Sequence, residues 1–411
     1  MPAAALDFLD HAFTDDPYPT WRRLREHDPV WWWPEVGAWL VTGFPEMAAV
    51  LREPMFSPSR KYWSGWEPVP VERQDLADRL DDHGLFHVPA HDHLRLRRLV
   101  TRAFTPRGVE QQRLFTERLV DELLGQWTDG DVVDLQSQFA SQIPSLVVAN
   151  LLGFEGMDAT RFRSLAARIV PLVNPLIDAL ERATAVAAMQ EILDLLDEAV
   201  SVRRTDPRDD LLTRLLEAEA EGERLRYEEL QALVVALVIA GSDTTANQIA
   251  AAILCLIDHP EAMSAVQHDP ALIDAAVAES LRFLPLFKAM PHFAVGDSEL
   301  GGHRIGAGQI VFFSMPAAHR DPRVFPEPDR FDLYRDHSLA MPFGGGPHYC
   351  LGAALARLEI VVAVGALVRR FPAVELAGPV RYRSHFIMRP LEALPIRLLG
   401  RRTPEENPAT G

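Results

Sequence analysis

The sequence predicts a mainly α-helical protein with small β-sheets, an α+β class. Three observations carry this expectation. From about residue 92 to 296 apolar residues recur at helical spacing with few breaks. Short aromatic and β-branched runs lie toward both ends, at Trp31–Trp33 and Ala38–Thr42, and again at Val374–Arg383 and Ile387–Leu399. Between them a glycine-rich turn, PFGGGPHYCLGAALARLE at Pro342–Glu359, leads into an apolar stripe of Leu351, Leu355, Leu358 and Val362. Strands at both ends with helices between them indicate one intertwined domain over residues 1–400. The tail 401–411 is expected to be disordered.

Taken in order, DPYPTWRRLREHDPV reads as a turn and a short helix. Trp31–Trp33 and Ala38–Thr42 read as two strands around a turn at Pro34–Gly37, with tryptophans packing on the sheet faces. Residues 55–90, rich in Pro, Trp and charge, read as a long loop with one short helix, and long ordered loops usually carry function. A long buried helix starts near Tyr227 and contains LVVALVIAGSDTTANQIAAAI. From Leu300 to Pro342 strand and irregular coil are expected.

Composition narrows the class. The chain has 411 residues, 48% hydrophobic and 24% charged, the balance of a soluble globular enzyme. A net charge of −17 argues against nucleic acid and anionic membrane surfaces as partners. Two cysteines cannot form a disulfide framework, which points to a reducing cytoplasm. MPAAALDFLDH has no basic n-region and carries Asp7 and Asp10, so no signal peptide is expected. The longest apolar run, Ala232–Gly241, is half the length that spans a bilayer. Lysine occurs only at 61 and 288.

Three patterns carry chemistry. Cys350 follows Gly344, Gly345 and Gly346 and precedes a helix expected from Leu351. The free N–H groups of a helix start should lower the thiol pKa, giving a metal ligand or a nucleophile. Cys255, in AAILCLI, reads as a buried apolar cysteine. The long helix holds Gly241, Asp243, Thr244 and Thr245, where a glycine costs about 1 kcal/mol and a buried carboxylate several more. Thr244 can bond the Ala240 carbonyl and open a local groove. His93 and Arg97, spaced i and i+4, share one helix face over an inward stripe of Leu96, Leu99, Val100 and Ala103.

Phe343, Gly344, Gly346, His348, Cys350 and Gly352 match every fixed position of FGxGxHxCxG, the haem-ligand loop of the cytochrome P450 family, which this chain resembles from about residue 15 to 399. The resemblance implies a triangular, helix-rich prism. In it a haem b lies between the long oxygen-binding helix and the cysteine-ligand helix. Cys350 would be the thiolate ligand of the iron. AGSDTT resembles the family's oxygen-binding motif, so Ala240 and Gly241 would flank dioxygen, and Asp243 and Thr244 would deliver protons. His93 and Arg97 would bind haem propionates. Where the family usually has a further arginine this chain has His292, a weaker candidate for the same task. Glu279, Arg282 and Arg330 carry over as a buried structural triad, and His319-Arg320-Asp321 as a structural element.

By the same resemblance the substrate pocket would be lined by Trp63, Trp66, Leu85 and Phe86, by Ala236 and Ile239, by Phe287, Lys288 and Met290, and by Phe386 and Ile387. These are mostly apolar, so a hydrophobic small molecule is expected. Lys288 would pair with an acidic or enolic substrate group, or else serve as a propionate partner or surface residue. Arg95, Arg98 and Arg102 would offer a basic face to an acidic ferredoxin or flavodoxin, or a solvated face only. The reading is a monomeric cytoplasmic haem-thiolate monooxygenase without nucleic-acid or membrane partners. It takes electrons from NAD(P)H through separate redox proteins and hydroxylates or epoxidises a secondary metabolite such as a polyketide or macrolactam. A terpene, steroid or fatty acid as substrate, and a non-catalytic haem sensor or carrier, are the alternatives.

Overall fold

The computed structural model describes residues 6–85, 87–88, 90–154, 158–220 and 223–401. Phe86 and the tail from residue 402 lie outside these described residues. The tryptophan run forms strand Val30–Trp33, antiparallel to Ala38–Val41 with Trp33 opposite Ala38. Gly37, at φ 69°, supplies the left-handed turn conformation that closes this hairpin. Ala38–Val41 then pairs in parallel with Ile310–Phe313, which pairs with Met290–Ala294, and Phe56–Ser57 closes a five-stranded sheet. Trp33 is buried beside Phe8, Phe312 and Phe386, whereas Trp32 packs outward on Trp39. The triplet is therefore sheet packing, as expected. A second sheet joins Ala373–Leu376, Pro395–Leu399 and Val132–Asp134, tying the chain's last strand to its first third.

Helices fill the interval between the sheets. The largest is Tyr227–Asp258. Glu229 accepts from the Arg226 N–H at 2.9 Å and starts it, and two acidic residues sit in its positive first turn. Valines are moderate helix formers, so packing sustains it. It is surrounded by Gln142–Leu151, Ala353–Arg370 and Ile273–Phe283. The helix is long and apolar enough to cross a membrane, yet most of it is buried inside the protein. Gly241 explains part of the close packing, because a Cβ there would lie 2.7 Å from Val148 Cγ2.

The coil before the cysteine loop hangs on one buried charge. Glu279 and Arg282, both fully buried, form a two-pronged ion pair with each contact at 2.7 Å. Arg282 also donates to the carbonyls of His319, Pro328 and Arg330. The third arginine is Arg335, not Arg330. Arg335 Nε reaches Glu279 at 3.2 Å, and its other nitrogens hold the carbonyls of Pro326, Glu327 and Arg330. The Arg330 side chain points out to Glu327 and contributes only its backbone carbonyl. His337 and the Asp332 N–H complete the shell at 2.9 Å each. Despite burial, these donors hold the Glu279 carboxyl down at about 2.

His319-Arg320-Asp321 is structural as expected. The Arg320 guanidinium stacks 3.6 Å over Tyr18, and Asp321 accepts from the Phe44 N–H. His319 Nε2 accepts from the Met341 N–H at 3.1 Å, which fixes the approach to Pro342.

Replacing Arg335 with Met is expected to cost about 3–5 kcal/mol of unfolding free energy, because Glu279 loses a buried partner. Arg330→Met should change it by less than about 0.5 kcal/mol. Urea unfolding of the two variants checks the assignment, and the reverse ranking would restore Arg330 as the third member.

Candidate active site

The cysteine loop is built by glycine at two positions that require it. Gly344 and Gly346 sit at φ 74° and 64°, and a Cβ on Gly346 would lie 2.3 Å from the Leu51 carbonyl oxygen. The Cys350 N–H then donates to the Phe343 carbonyl at 3.0 Å, which turns the chain back on itself. The helix begins at Ala353 with Gly352 as its N-cap, two residues later than the sequence suggested. The expected drop in thiol pKa is also corrected. Cys350 is exposed but ringed by protein, and burial among its neighbours pushes the thiol up, opposed by the Gly352 N–H and the Arg97 charge. Cys255 is buried in the central helix, as expected.

Helix Ala90–Ala103 lays its predicted inward stripe into the core and turns His93 and Arg97 toward this loop. Arg97 donates to the Tyr349 carbonyl at 2.7 Å. The His93 and His348 rings lie tilted against each other, with centroids 3.9 Å apart. Burial lowers the His93 pKa, with the Arg97 charge adding to it. Burial drives His348 down to about 3, and the nearby positive charge of His93, His292 and Arg97 adds to it. His292, on Met290–Ala294, is pushed to about 4 by burial while its Nδ1 lies 2.9 Å from the Pro291 carbonyl.

This is an anion-seeking set: one guanidinium and three imidazoles crowd each other's protons away. Two carboxylates placed among them would reverse that repulsion. A thiol beside them suits iron. Among the described residues no group of three or more His, Cys, Asp or Glu could hold a metal ion. A Cβ on Gly344 or Gly352 would meet nothing within 4 Å, and Ala240 is exposed along the middle of the central helix, between half-buried Ile239 and Gly241. The residues fit a haem: Cys350 would hold its iron, and Arg97, His93 and His292 could bind its carboxylates.

On the central helix Thr244 Oγ1 donates to the Ala240 carbonyl at 2.5 Å, as expected, while the helix runs on without a break. Burial raises the Asp243 pKa, opposed by Arg383 at 3.8 Å. Two neighbours escaped the sequence reading. Asn247 bridges the Asp243 carbonyl and the Leu391 N–H, and Gln248 accepts from the Leu286 N–H. Two amides in an apolar helix were the signal, since buried amides seek partners.

The expected pocket residues divide. Ala236, Ile239, Leu85, Met290, Phe287, Trp66 and Ile387 are half-buried, and Trp63 is exposed. Segments 286–289 and 387–389 are joined backbone to backbone, by Lys288 N–H to Ile387 O and Arg389 N–H to Leu286 O, each at 2.8 Å. Phe386 leans into the Phe8, Trp33 and Phe312 cluster, so its ring is held by core packing. Lys288 is not positioned to greet a substrate. It is 1% exposed, donates to the Phe8 carbonyl at 2.5 Å and lies over the Phe8 and Phe13 rings, with burial lowering its pKa to about 8. Arg95 likewise leaves the expected docking face. It is ion-paired with Glu229, itself almost fully buried, at the start of the central helix. Arg98 and Arg102 are exposed.

The family described as Cytochrome P450 matches residues 157–378. Epothilone C/D epoxidase of Sorangium cellulosum is 37% identical over 406 residues, covering 96% of each chain. Cytochrome P450 monooxygenase PikC of Streptomyces venezuelae is 36% identical, over 98% of this chain and 97% of that protein. The epothilone B-bound structure of cytochrome P450epoK superposes with a TM-score of 0.88 at 34% identity, covering 96% of this chain and 100% of that one. With the family matched over more than half of the sequence and relatives along nearly all of it, this chain belongs to the cytochrome P450 family and is a monooxygenase.

Proposed function

We propose that this enzyme inserts one oxygen atom into a hydrophobic macrocyclic secondary metabolite of the polyketide or macrolactam type. The observation that carries the proposal is the set of full-length relatives. Their names include an epothilone epoxidase, a 6-deoxyerythronolide B hydroxylase and a polyketide biosynthesis cytochrome. The half-buried apolar residues around Phe287, Met290 and Ile239 support a mainly apolar ligand. In this reading residues 1–400 act as one catalytic domain.

A bound haem supplies dioxygen activation at its iron. The chain's own residues do the rest. Cys350 holds the iron, Phe343, His348 and Gly352 frame that ligand, and Arg97, His93 and His292 hold the propionates. Ala240 and Gly241 leave room for dioxygen, and Asp243 with Thr244 moves protons to it. Electrons come from NAD(P)H through a ferredoxin and its reductase, docked on the face that carries Arg98 and Arg102. Steering by positive charge on so acidic a protein would make the reduction rate fall with salt.

Arg97→Leu should weaken haem binding by about 1.5–3 kcal/mol, roughly 10- to 150-fold, measured by titrating haem into the apoprotein. An unchanged affinity would remove Arg97 from the propionate set. Lys288→Met should leave substrate affinity at low salt unchanged while lowering thermal stability. A selective loss of affinity for an acidic substrate over its ester would return Lys288 to the pocket.

The function itself is tested with NADPH, ferredoxin, reductase and a panel of macrolides and macrolactams under 18O2. A macrocycle should shift the haem spectrum and gain one labelled oxygen. Shifts only with steroids or fatty acids would overturn the substrate class and leave the reaction class intact.

A further inference from the structure

A cavity of about 340 Å3 opens between the end of helix Ala179–Thr205, helix Leu211–Glu217 and the first turn of the central helix. None of the residues lining it belongs to the candidate active site. Its volume lies in the range of small-molecule pockets, about 300–1,000 Å3. Four leucines line it: Leu215 and Leu230 are buried, and Leu216 and Leu225 are half-buried. Leucines around one space favour a hydrocarbon, at about 25 cal/mol per Å2 of apolar surface removed from water.

The polar part of the wall is basic. Arg203, Arg204 and Arg226 line the cavity, against one carboxylate among the described residues of the wall, the exposed Glu217. The three guanidiniums differ in what they already hold. Arg203 is buried and fully engaged, with Nε on Asp210 at 2.5 Å and Nη2 on the Gly153 carbonyl at 3.0 Å. Arg226 is exposed and turns Nε and Nη2 to Glu229, at 2.8 and 2.6 Å, while its Nη1 meets no acceptor among the described residues. Glu229 is shared with Arg95, so one carboxylate answers two guanidiniums. Arg204 forms no hydrogen bond or ion pair with any described residue, and its charge acts on the Tyr227 phenol of the same wall. Thr213 is buried on this wall and accepts from the Arg208 N–H at 3.1 Å. Its own hydroxyl proton reaches no acceptor among the described residues.

We propose that this cavity binds an amphipathic anion, a carboxylate head on a hydrocarbon body. The head takes the Arg204 guanidinium, the unused nitrogen of Arg226 and the Thr213 hydroxyl, and the body lies against the four leucines. Both halves of the ligand are needed. A bare inorganic anion leaves the leucines in water, and a neutral hydrocarbon leaves the guanidiniums unanswered. With a net charge of −17 the protein as a whole repels anions, so these local donors must supply the attraction. The place also matters. Arg226 shares Glu229 with Arg95, and Arg95 lies on helix Ala90–Ala103 beside His93 and Arg97. The occupant therefore sits at the tie between the central helix and the helix that faces the cysteine loop.

The test is a calorimetric titration of octanoate into the haem-loaded enzyme, with the substrate side blocked by 4-phenylimidazole on the iron. Octanoate should still bind, at one equivalent per chain. Arg204→Gln, at an exposed position, should weaken it about tenfold, the loss of one charge-assisted contact. Leu216→Trp fills the cavity and should abolish binding. Octan-1-ol should bind at least tenfold more weakly than octanoate, and sulfate should not displace octanoate. Should Leu216→Trp fail to fold, Arg204→Gln and the two ligand controls carry the test. Loss of octanoate binding under 4-phenylimidazole would return it to the substrate pocket and overturn the site. Unchanged affinity in a folded Arg204→Gln enzyme, or equal affinity for octan-1-ol, would remove the anion from the proposal. Displacement by sulfate would make this a plain anion site and overturn the amphipathic class.

Discussion

A single buried carboxylate organises the approach to the chemistry. Glu279 sits with no exposed surface and is ionised only because Arg282, Arg335, His337 and the Asp332 N–H surround it. Those partners lie in irregular coil that has no repeating hydrogen-bond ladder of its own. Arg282 collects three carbonyls from the same coil, and His319 anchors Met341 just before the glycine turn. The cysteine loop is thus delivered by a charge network. Removing one partner leaves charge stranded in the interior, so the network is retained for the geometry it imposes.

The central helix imposes a second constraint. Its apolar surface buries it, and every polar residue along it must then be satisfied or put to use. Asn247 and Gln248 pin the segments at Leu391 and Leu286. Thr244 is tied to the Ala240 carbonyl. Among the described residues, Ser242 Oγ and Asp243 Oδ2 are the buried side-chain atoms of this helix left without a hydrogen-bond partner. The same helix therefore braces the segments at Leu286 and Leu391.

The glycine loop, the HxxxR pair and the AGSDTT helix were legible because each is local. Glycine φ requirements, i and i+4 spacing and a polar break in an apolar run are properties of short stretches of sequence. The third arginine was not legible, because Arg330 and Arg335 lie in coil without a period and only the fold decides which side chain turns inward. Lys288 was misread for a related reason. Its rarity drew attention, but its partner is a backbone carbonyl nearly three hundred residues earlier, at Phe8. Arg95 shared a helix with Arg98 and Arg102, yet a buried acid on another helix claimed it. The Cys350 thiol was expected to be acidified by a helix start that begins two residues later, and burial outweighs what remains of that effect.

The account rests on Cys350 holding iron as a thiolate. The absorption spectrum of the purified, reduced protein under carbon monoxide tests this most directly. Electron donation by a thiolate ligand should move the Soret band strongly to the red, and Cys350→Ser should abolish that shift while haem remains bound. A Soret band at the ordinary position in the unaltered protein would mean a protonated or displaced cysteine and would contradict the account.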